Sequence, residues 1–284
     1  MPEDACDCHM HIFGPPARYP FAPRRSYTPP PAPIEDYRAM AGALGLSRVV
    51  VVQPSAYGTD NRCTLDALDA FDACARGVLV LGGNEREDDL SRMHAQGARA
   101  VRLNLVSTDA LAPDRIRSVL DATAPRIAPF GWHLQFYAKG AMIEALGTLV
   151  RDLPVDVVFD HMGRPDVTAG LDQPGFRALL DLLAGGRCWV KLSGLYRVLA
   201  DDPAYEAAAP FVRALVKANP ERLLWGSDWP HTGRHPESAL EQAPFVDYRP
   251  IDDGLHLSAF AAFAGAAAMR RILVDNPAAL YGFP

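Results

Sequence analysis

Val155-Asp156-Val157-Val158-Phe159-Asp160-His161-Met162-Gly163-Arg164-Pro165 reads as a short apolar strand that runs directly into a histidine, a glycine and an arginine. An apolar run of this length suits a parallel strand covered on both faces. The same event recurs on either side of it. Upstream lie Ala5–Ile12, Arg48–Gln53, Gly77–Gly82, Ala100–Leu105 and His133–Phe136; downstream lie Cys188–Leu192 and Leu223–Gly226. Helical periodicity fills most of the gaps, over Ile34–Leu44, Cys63–Ala73, Glu87–Gln96, Asp114–Ala128, Gly140–Arg151, Gly175–Ala184 and Tyr205–Ala218. A last helix is expected over about Met269–Asn276, with Pro277 soon after it.

Strand and helix alternating eight times give either a closed barrel or a long doubly wound sheet. The 284 residues suit a barrel of about 250 residues with a few insertions. No Gly-x-Gly-x-x-Gly follows a strand, so the usual mark of a dinucleotide-binding sheet is missing. The C-terminal strand ends decide between the two. They carry His9 and His11; Gln53 and Ser55; Asn84; Arg102 and Asn104; His133, Gln135 and Tyr137; His161 and Arg164; Ser193 and Arg197; Asp228 and His231. A barrel gathers these ends at one mouth, whereas a sheet spreads them along an edge. The expected fold is α/β, one (β/α)8 TIM-barrel domain over residues 1–284. Two polar insertions, residues 13–33 after strand one and 230–254 after strand eight, are expected as lids over the mouth.

Composition narrows the function classes. Hydrophobic residues make up 49% and charged residues 22%, the balance of a soluble globular protein. A formal charge of −6 with no basic block argues against nucleic acid as a partner. No apolar run reaches the roughly 20 residues that span a bilayer, so no membrane partner is expected. The acidic start Met1-Pro2-Glu3-Asp4 lacks the features of a signal peptide, and the expected location is the cytoplasm. Five scattered cysteines form no paired motif. Cys6 and Cys8 alternate with Asp7 and His9 and are expected to pack under the first helix.

Three elements carry chemistry. His9 and His11, two apart on a strand, place their imidazoles on one face about 6.5–7 Å apart, a spacing that suits two ligands of one metal ion. His161 ends strand six. Asp228 follows the apolar strand Leu223–Gly226 directly, with no cap pattern for a helix after it, and so should face the mouth.

Together these elements resemble the amidohydrolase superfamily, where a His-x-His on strand one, a histidine on strand six and an aspartate on strand eight ring the active centre. More narrowly, the chain is similar to the branch containing 2-pyrone-4,6-dicarboxylate lactonases, 4-sulfomuconolactone hydrolases and galactarolactone isomerases. The resemblance rests on Asp7–Phe13, Tyr27-Thr28-Pro29, Gln53-Pro54-Ser55, Asp60-Asn61, Val101–Asn104, Asp160–Pro165, Trp225–His231 and Asp275-Asn276-Pro277. It implies hydrolysis of a small carboxylated lactone, with isomerisation or zinc-dependent decarboxylation as the alternatives. Asp228 is then the base for water, and His9, His11 and His161 polarise the carbonyl. One divalent ion, zinc by its chemistry, held by some of His9, His11, His161 and Asp228, can do the same; the resemblance equally allows a metal-free site. Strand four supplies Arg102 and Asn104 where many metal-dependent relatives carry a bridging lysine or glutamate, which argues against two metals.

Substrate contacts are expected from Arg102, Arg164 and Arg197, because guanidinium matches a carboxylate in a two-pronged hydrogen bond. Ser55, Tyr27, Tyr137, Asn104 and His231 complete the expected contacts by the same resemblance. Pyrone-dicarboxylate lactonases carry a second arginine six residues after the strand-four arginine; the matching residue here is Thr108. The expectation is therefore a lactone with a single carboxylate. The partner is a small molecule, and the sequence leaves room for a homo-oligomer.

Overall fold

Four consecutive valines, Val49 to Val52, show how the molecule is layered. Val50 and Val52 pack inward with Val78, Ala100, Val158 and Leu224. Val49 and Val51 pack outward against Tyr37, Ala41, Ala67 and Leu68 of the surrounding helices. A strand with both faces buried has no polar face to offer, which is why the sequence shows an unbroken apolar run. The computed structural model describes residues 1–106, 113–199 and 205–284.

Eight parallel strands pair in chain order: β1 (Cys6–Met10), β2 (Arg48–Val52), β3 (Ala75–Leu79), β4 (Ala98–Asn104), β5 (His133–Tyr137), β6 (Val157–Phe159), β7 (Trp189–Leu192) and β8 (Leu223–Trp225). Residues just beyond β8 return to β1: Asp228 N donates to His9 O at 2.8 Å, and His11 N to Trp229 O at 2.9 Å. The expected barrel is the observed one. Around it lie α1 (Ile34–Leu44), α2 (Arg62–Phe71), α3 (Glu87–Ala95), α4 (Pro113–Ile127), α5 (Ala141–Leu149), α6 (Pro174–Ala184), a one-turn α7 (Leu195–Val198) and α8 (Ala209–Ala218). α9 (Asp253–Ala264), α10 (Ala266–Arg270) and α11 (Asn276–Tyr281) complete the chain. Among the described residues no single helix is long and apolar enough to cross a membrane.

Three expectations need correction. Cys6 and Cys8 join the inner cluster of Val50, Val52 and Val78 rather than the underside of α1. The cause is a bulge: Asp7 pairs with Val49 but Met10 with Val51, so one extra residue of β1 is absorbed between them. Alternation breaks there, and Cys8 and His9 both turn toward the barrel axis. Asp7 takes the outward place instead and receives the Tyr37 hydroxyl of α1 at 3.2 Å.

The second correction is α9, whose first two residues fall inside the insertion expected over residues 230–254. Its residues Asp253-Gly254-Leu255-His256-Leu257-Ser258-Ala259-Phe260 are apolar on several sides, so no amphipathic stripe marks them. Asp252 was the available signal, since its side chain accepts from Leu255 N at 2.9 Å as a helix N-cap. Third, Pro277 does not end the last helix. A π-helical turn over Arg271–Asp275 leads into α11, where Pro277 occupies the first turn and needs no N–H partner.

The two long insertions bind each other. Arg25 and Leu240 exchange backbone hydrogen bonds, Thr28 N donates to Pro244 O at 2.8 Å, and Val246 N donates to Thr28 O at 2.9 Å. Tyr27 and His235 stack with centroids 4.4 Å apart.

Candidate active site

His9 ends β1 at the point where Gly226 passes closest. A Cβ on Gly226 would lie 2.6 Å from His9 Cβ, so only glycine fits there. His161 and Asp228 follow β6 and β8 with positive φ, 52° and 64°, in the region that L-residues rarely occupy. Such a backbone persists only where its surroundings enforce it. Each of these three side chains is therefore aimed by its strand end or by the turn after it.

Three imidazoles meet one carboxylate oxygen. Asp228 Oδ1 is 3.8 Å from His9 Nε2, 3.8 Å from His11 Nε2 and 3.9 Å from His161 Nε2. The remote ring nitrogens are held from behind. His11 Nδ1 donates to Val52 O at 2.7 Å, His9 Nδ1 lies 3.2 Å from Asp160 Oδ1 and 3.3 Å from Lys191 Nζ, and His161 Nδ1 meets Ser193 Oγ at 2.8 Å. With Nδ1 carrying the proton, the Nε2 lone pair of His11 faces the centre. Burial lowers all three histidines, those of His11 and His161 well below the ordinary value, so the rings are neutral near pH 7.

Asp228 Oδ2 is tied down separately, by the Tyr196 hydroxyl at 2.6 Å and by Arg197 Nε. Burial alone would raise the Asp228 carboxyl; the Arg197 guanidinium, charged and bonded to Oδ2, outweighs it and holds the group well below the usual carboxylate range. Oδ1 is left buried without a hydrogen-bond partner, as is His9 Nε2.

Beneath His9 lies a polar layer that the strand-end reading missed. Lys191, from the middle of β7, is fully buried. Its Nζ donates to Gln135 Oε1 at 2.6 Å and stands 3.7 Å from Asp160 Oδ1. Gln135 Nε2 in turn donates to Asp160 Oδ2 at 3.2 Å, and Arg102 Nη2 lies 3.4 Å from the same oxygen. Burial alone would raise Asp160, but the Lys191 and Arg102 charges hold it well below the carboxylate range. A lysine inside an otherwise apolar strand was the readable signal, because a buried ammonium requires a partner.

Above the histidines opens a cavity of about 370 Å³. Of the residues expected to touch substrate, Tyr27, Ser55, Arg102, Asn104, Tyr137, Arg164 and Arg197 line it, together with His11 and His161. His231 does not line it. Its ring packs edge-on to Tyr196 and its Nε2 meets the Asp253 carboxylate at 3.1 Å, behind the wall. His133, counted among the mouth groups in sequence, starts β5 instead and sits against Tyr281. Thr108 falls outside the described residues. Arg234 and Arg249, two further cavity arginines, lie in the segment after β8, where no periodicity marked them.

The donor set admits a metal. Ligand atoms of His9, His161 and Asp228 all lie within 4.8 Å of one another. Lone pairs of neutral imidazoles facing a carboxylate repel unless a cation lies between them, and two nitrogens with one oxygen suit a single catalytic zinc. His11, also expected as a ligand, is outside this tight group. Asp160, 3.2 Å behind His9 Nδ1, stands where the carboxylate support of a ligating histidine usually does.

Residues 6–283 match the family described as Amidohydrolase. The chain belongs to the amidohydrolase family. It is 35% identical to a 4-sulfomuconolactone hydrolase of Rhizobium radiobacter, over 99% of this chain and 91% of the relative. It is 36% identical to a 2-pyrone-4,6-dicarboxylate hydrolase of Comamonas testosteroni, again over 99% and 91%. A Pseudomonas putida structure assigned as a 2-pyrone-4,6-dicarboxylic acid hydrolase superposes with a TM-score of 0.80 at 34% identity, covering 100% of this amidohydrolase and 99% of the other chain.

Proposed function

We propose that this amidohydrolase opens the ring ester of a small carboxylated lactone by hydrolysis. The observation that carries the reading is Asp228. One of its oxygens is fixed by Tyr196 and Arg197, while the other is buried, unbonded and surrounded by three imidazoles at the floor of an arginine-lined cavity. A carboxylate held ionised and aimed in this way suits a general base for water. The names of the 4-sulfomuconolactone and 2-pyrone-4,6-dicarboxylate relatives support the lactone class.

The chain's own groups divide the work. Arg102 and Arg164, beside Tyr137, hold the substrate carboxylate and orient the ring. Tyr27, with Ser55 and Thr232, borders the other side. Asp228 Oδ1 takes a proton from water as the oxygen attacks the ester carbonyl. It returns that proton to the ring oxygen as the C–O bond breaks, so the net change is one water added. Tyr196 and Arg197 keep the carboxylate in place through both transfers. His9, His161 and Asp228 would hold a divalent ion, zinc by the donor set, which when bound would supply carbonyl polarisation and a more acidic water.

The test is a lactone panel with a proton-release readout and product analysis. A ring-opened acid is the expected product. An isomeric lactone without net proton release would move the enzyme to the isomerase class, and carbon dioxide would move it to the decarboxylases.

A further inference from the structure

Five arginines line the cavity, and their charges are unequally balanced. Arg102 faces Asp160 at 3.4 Å, Arg197 is bonded to Asp228, and Arg164 faces Glu237 at 3.5 Å. Glu237 is shared, because Lys139 Nζ reaches it at 2.6 Å. Arg234 and Arg249 have no carboxylate partner among the described residues. Both belong to the segment between β8 and α9, and both open onto the same cavity as the catalytic floor.

Arg249 is built in rather than trailing in solvent. Its Nη1 donates to Tyr196 O at 2.7 Å, and its guanidinium lies 5.2 Å from the centroid of the Tyr196 ring. Arg102 and Arg164 each lie 5.3 Å from the Tyr137 ring, at the β4–β6 side of the mouth. Arg234 and Arg249 enter from the segment that follows β8. Two guanidinium groups on one cavity, with no carboxylate paired to either among the described residues, favour the entry of an anion. In a chain of net charge −6, this concentration of guanidinium at one cavity is specific to the site.

We propose that Arg234 and Arg249 form a second anion subsite, which takes a second acidic group on the lactone ring while Arg102 and Arg164 hold the first. This rests on the lactone reading and deepens it. The expectation of a single carboxylate counted only strand-end arginines and weighed the change at Thr108. The segment after β8 supplies two cations that this count omitted.

Equilibrium binding tests the subsite without requiring turnover. Calorimetry compares benzene-1,3-dicarboxylate with benzoate on the intact protein, on Arg234→Met, on Arg249→Met and on Arg249→Lys. The wild type is expected to prefer the dicarboxylate by about 10- to 100-fold, the range for hydrogen bonds to a charged group. Each methionine variant should lose most of that preference, and Arg249→Lys should recover part of it. Arg234 is exposed, so its variant keeps the test valid even if Arg249→Met fails to fold. A wild type with no preference, or folded methionine variants that keep it, would overturn the subsite. Arginine-dependent dicarboxylate preference in a protein that opens no lactone would leave the subsite standing and reject the lactone reading.

Discussion

Lys191 Nζ lies 3.3 Å from His9 Nδ1, on the side of the ring turned away from Asp228, and both side chains are fully buried. Asp160 Oδ1 stands 3.2 Å from the same nitrogen, so this edge of the ring faces an ammonium and a carboxylate together. Lys191 and Arg102, 3.7 and 3.4 Å from its oxygens, balance the Asp160 charge beneath the His9 ring.

A double-mutant cycle reads this balance. Removing one partner of a buried ion pair costs about 3–5 kcal/mol, because the other charge is left uncompensated. Lys191→Met and Asp160→Asn should each destabilise by an amount of that order in chemical denaturation. The double variant should cost clearly less than the sum. Additive losses would show that the two groups do not compensate each other.

Arg197 was expected from the sequence as a carboxylate clamp, yet its Nε is bonded to Asp228. Loss of a hydrogen bond to a charged group amounts to about 1.5–3 kcal/mol. Arg197→Met should therefore lower kcat by at least ~10-fold, and Tyr196→Phe should lower it in the same direction. A raised KM with kcat unchanged in Arg197→Met would return Arg197 to substrate binding alone.

Metal binding has a readout independent of turnover. Cobalt(II) added to the purified protein should give the visible absorption of a low-coordinate site, at about one ion per chain. His9→Asn and His161→Asn should abolish it. Two ions per chain would contradict the reading of strand four. No cobalt signature at all would give the polarising role to His161, whose Nδ1 partner Ser193 carries a hydroxyl able to donate.

Burial pushes His133 and His256 down to about 3, from an ordinary value of 6.5. His256 also accepts from Leu195 N at 3.2 Å, which only a neutral ring can do. The unfolded chain takes up these protons near pH 6.5 while the folded chain refuses them. Their contribution is therefore intact above pH 6.5 and lost as pH falls toward 3, with a slope of about 1.4 kcal/mol per pH unit for each group. Asp7, pushed up to about 6 by burial, acts in the opposite sense between 3.8 and 6. His256→Gln should flatten the acid slope of the urea midpoint relative to wild type. Parallel slopes would show that His256 titrates normally in the folded state.

Much of the fold was legible because a parallel barrel forces two patterns at once, apolar strands and polar groups at their C-terminal ends. Val155–Pro165 displays both, and His161 and Arg164 sit where that pattern puts them. The bulge in β1 was invisible, since nothing in Asp7-Cys8-His9-Met10 marks which residue is the extra one, and the placement of Cys8 failed for that reason. Lys191 lies inside β7 rather than at its end, and its partners Gln135, Asp160 and His9 come from three other strands, so no local pattern shows what it meets. Arg234 and Arg249 sit in an aperiodic segment, where only the closed ring of strands brings them to the mouth.

The central claim is that Asp228 activates water for attack on a lactone carbonyl, and Asp228→Asn tests it most directly. The substitution keeps the shape and removes the basicity. Steady-state turnover of a lactone opened by the wild type should fall by at least ~10²-fold, the low end for a lost general base, with the melting transition still cooperative. Near wild-type turnover in a correctly folded Asp228→Asn protein would contradict the account.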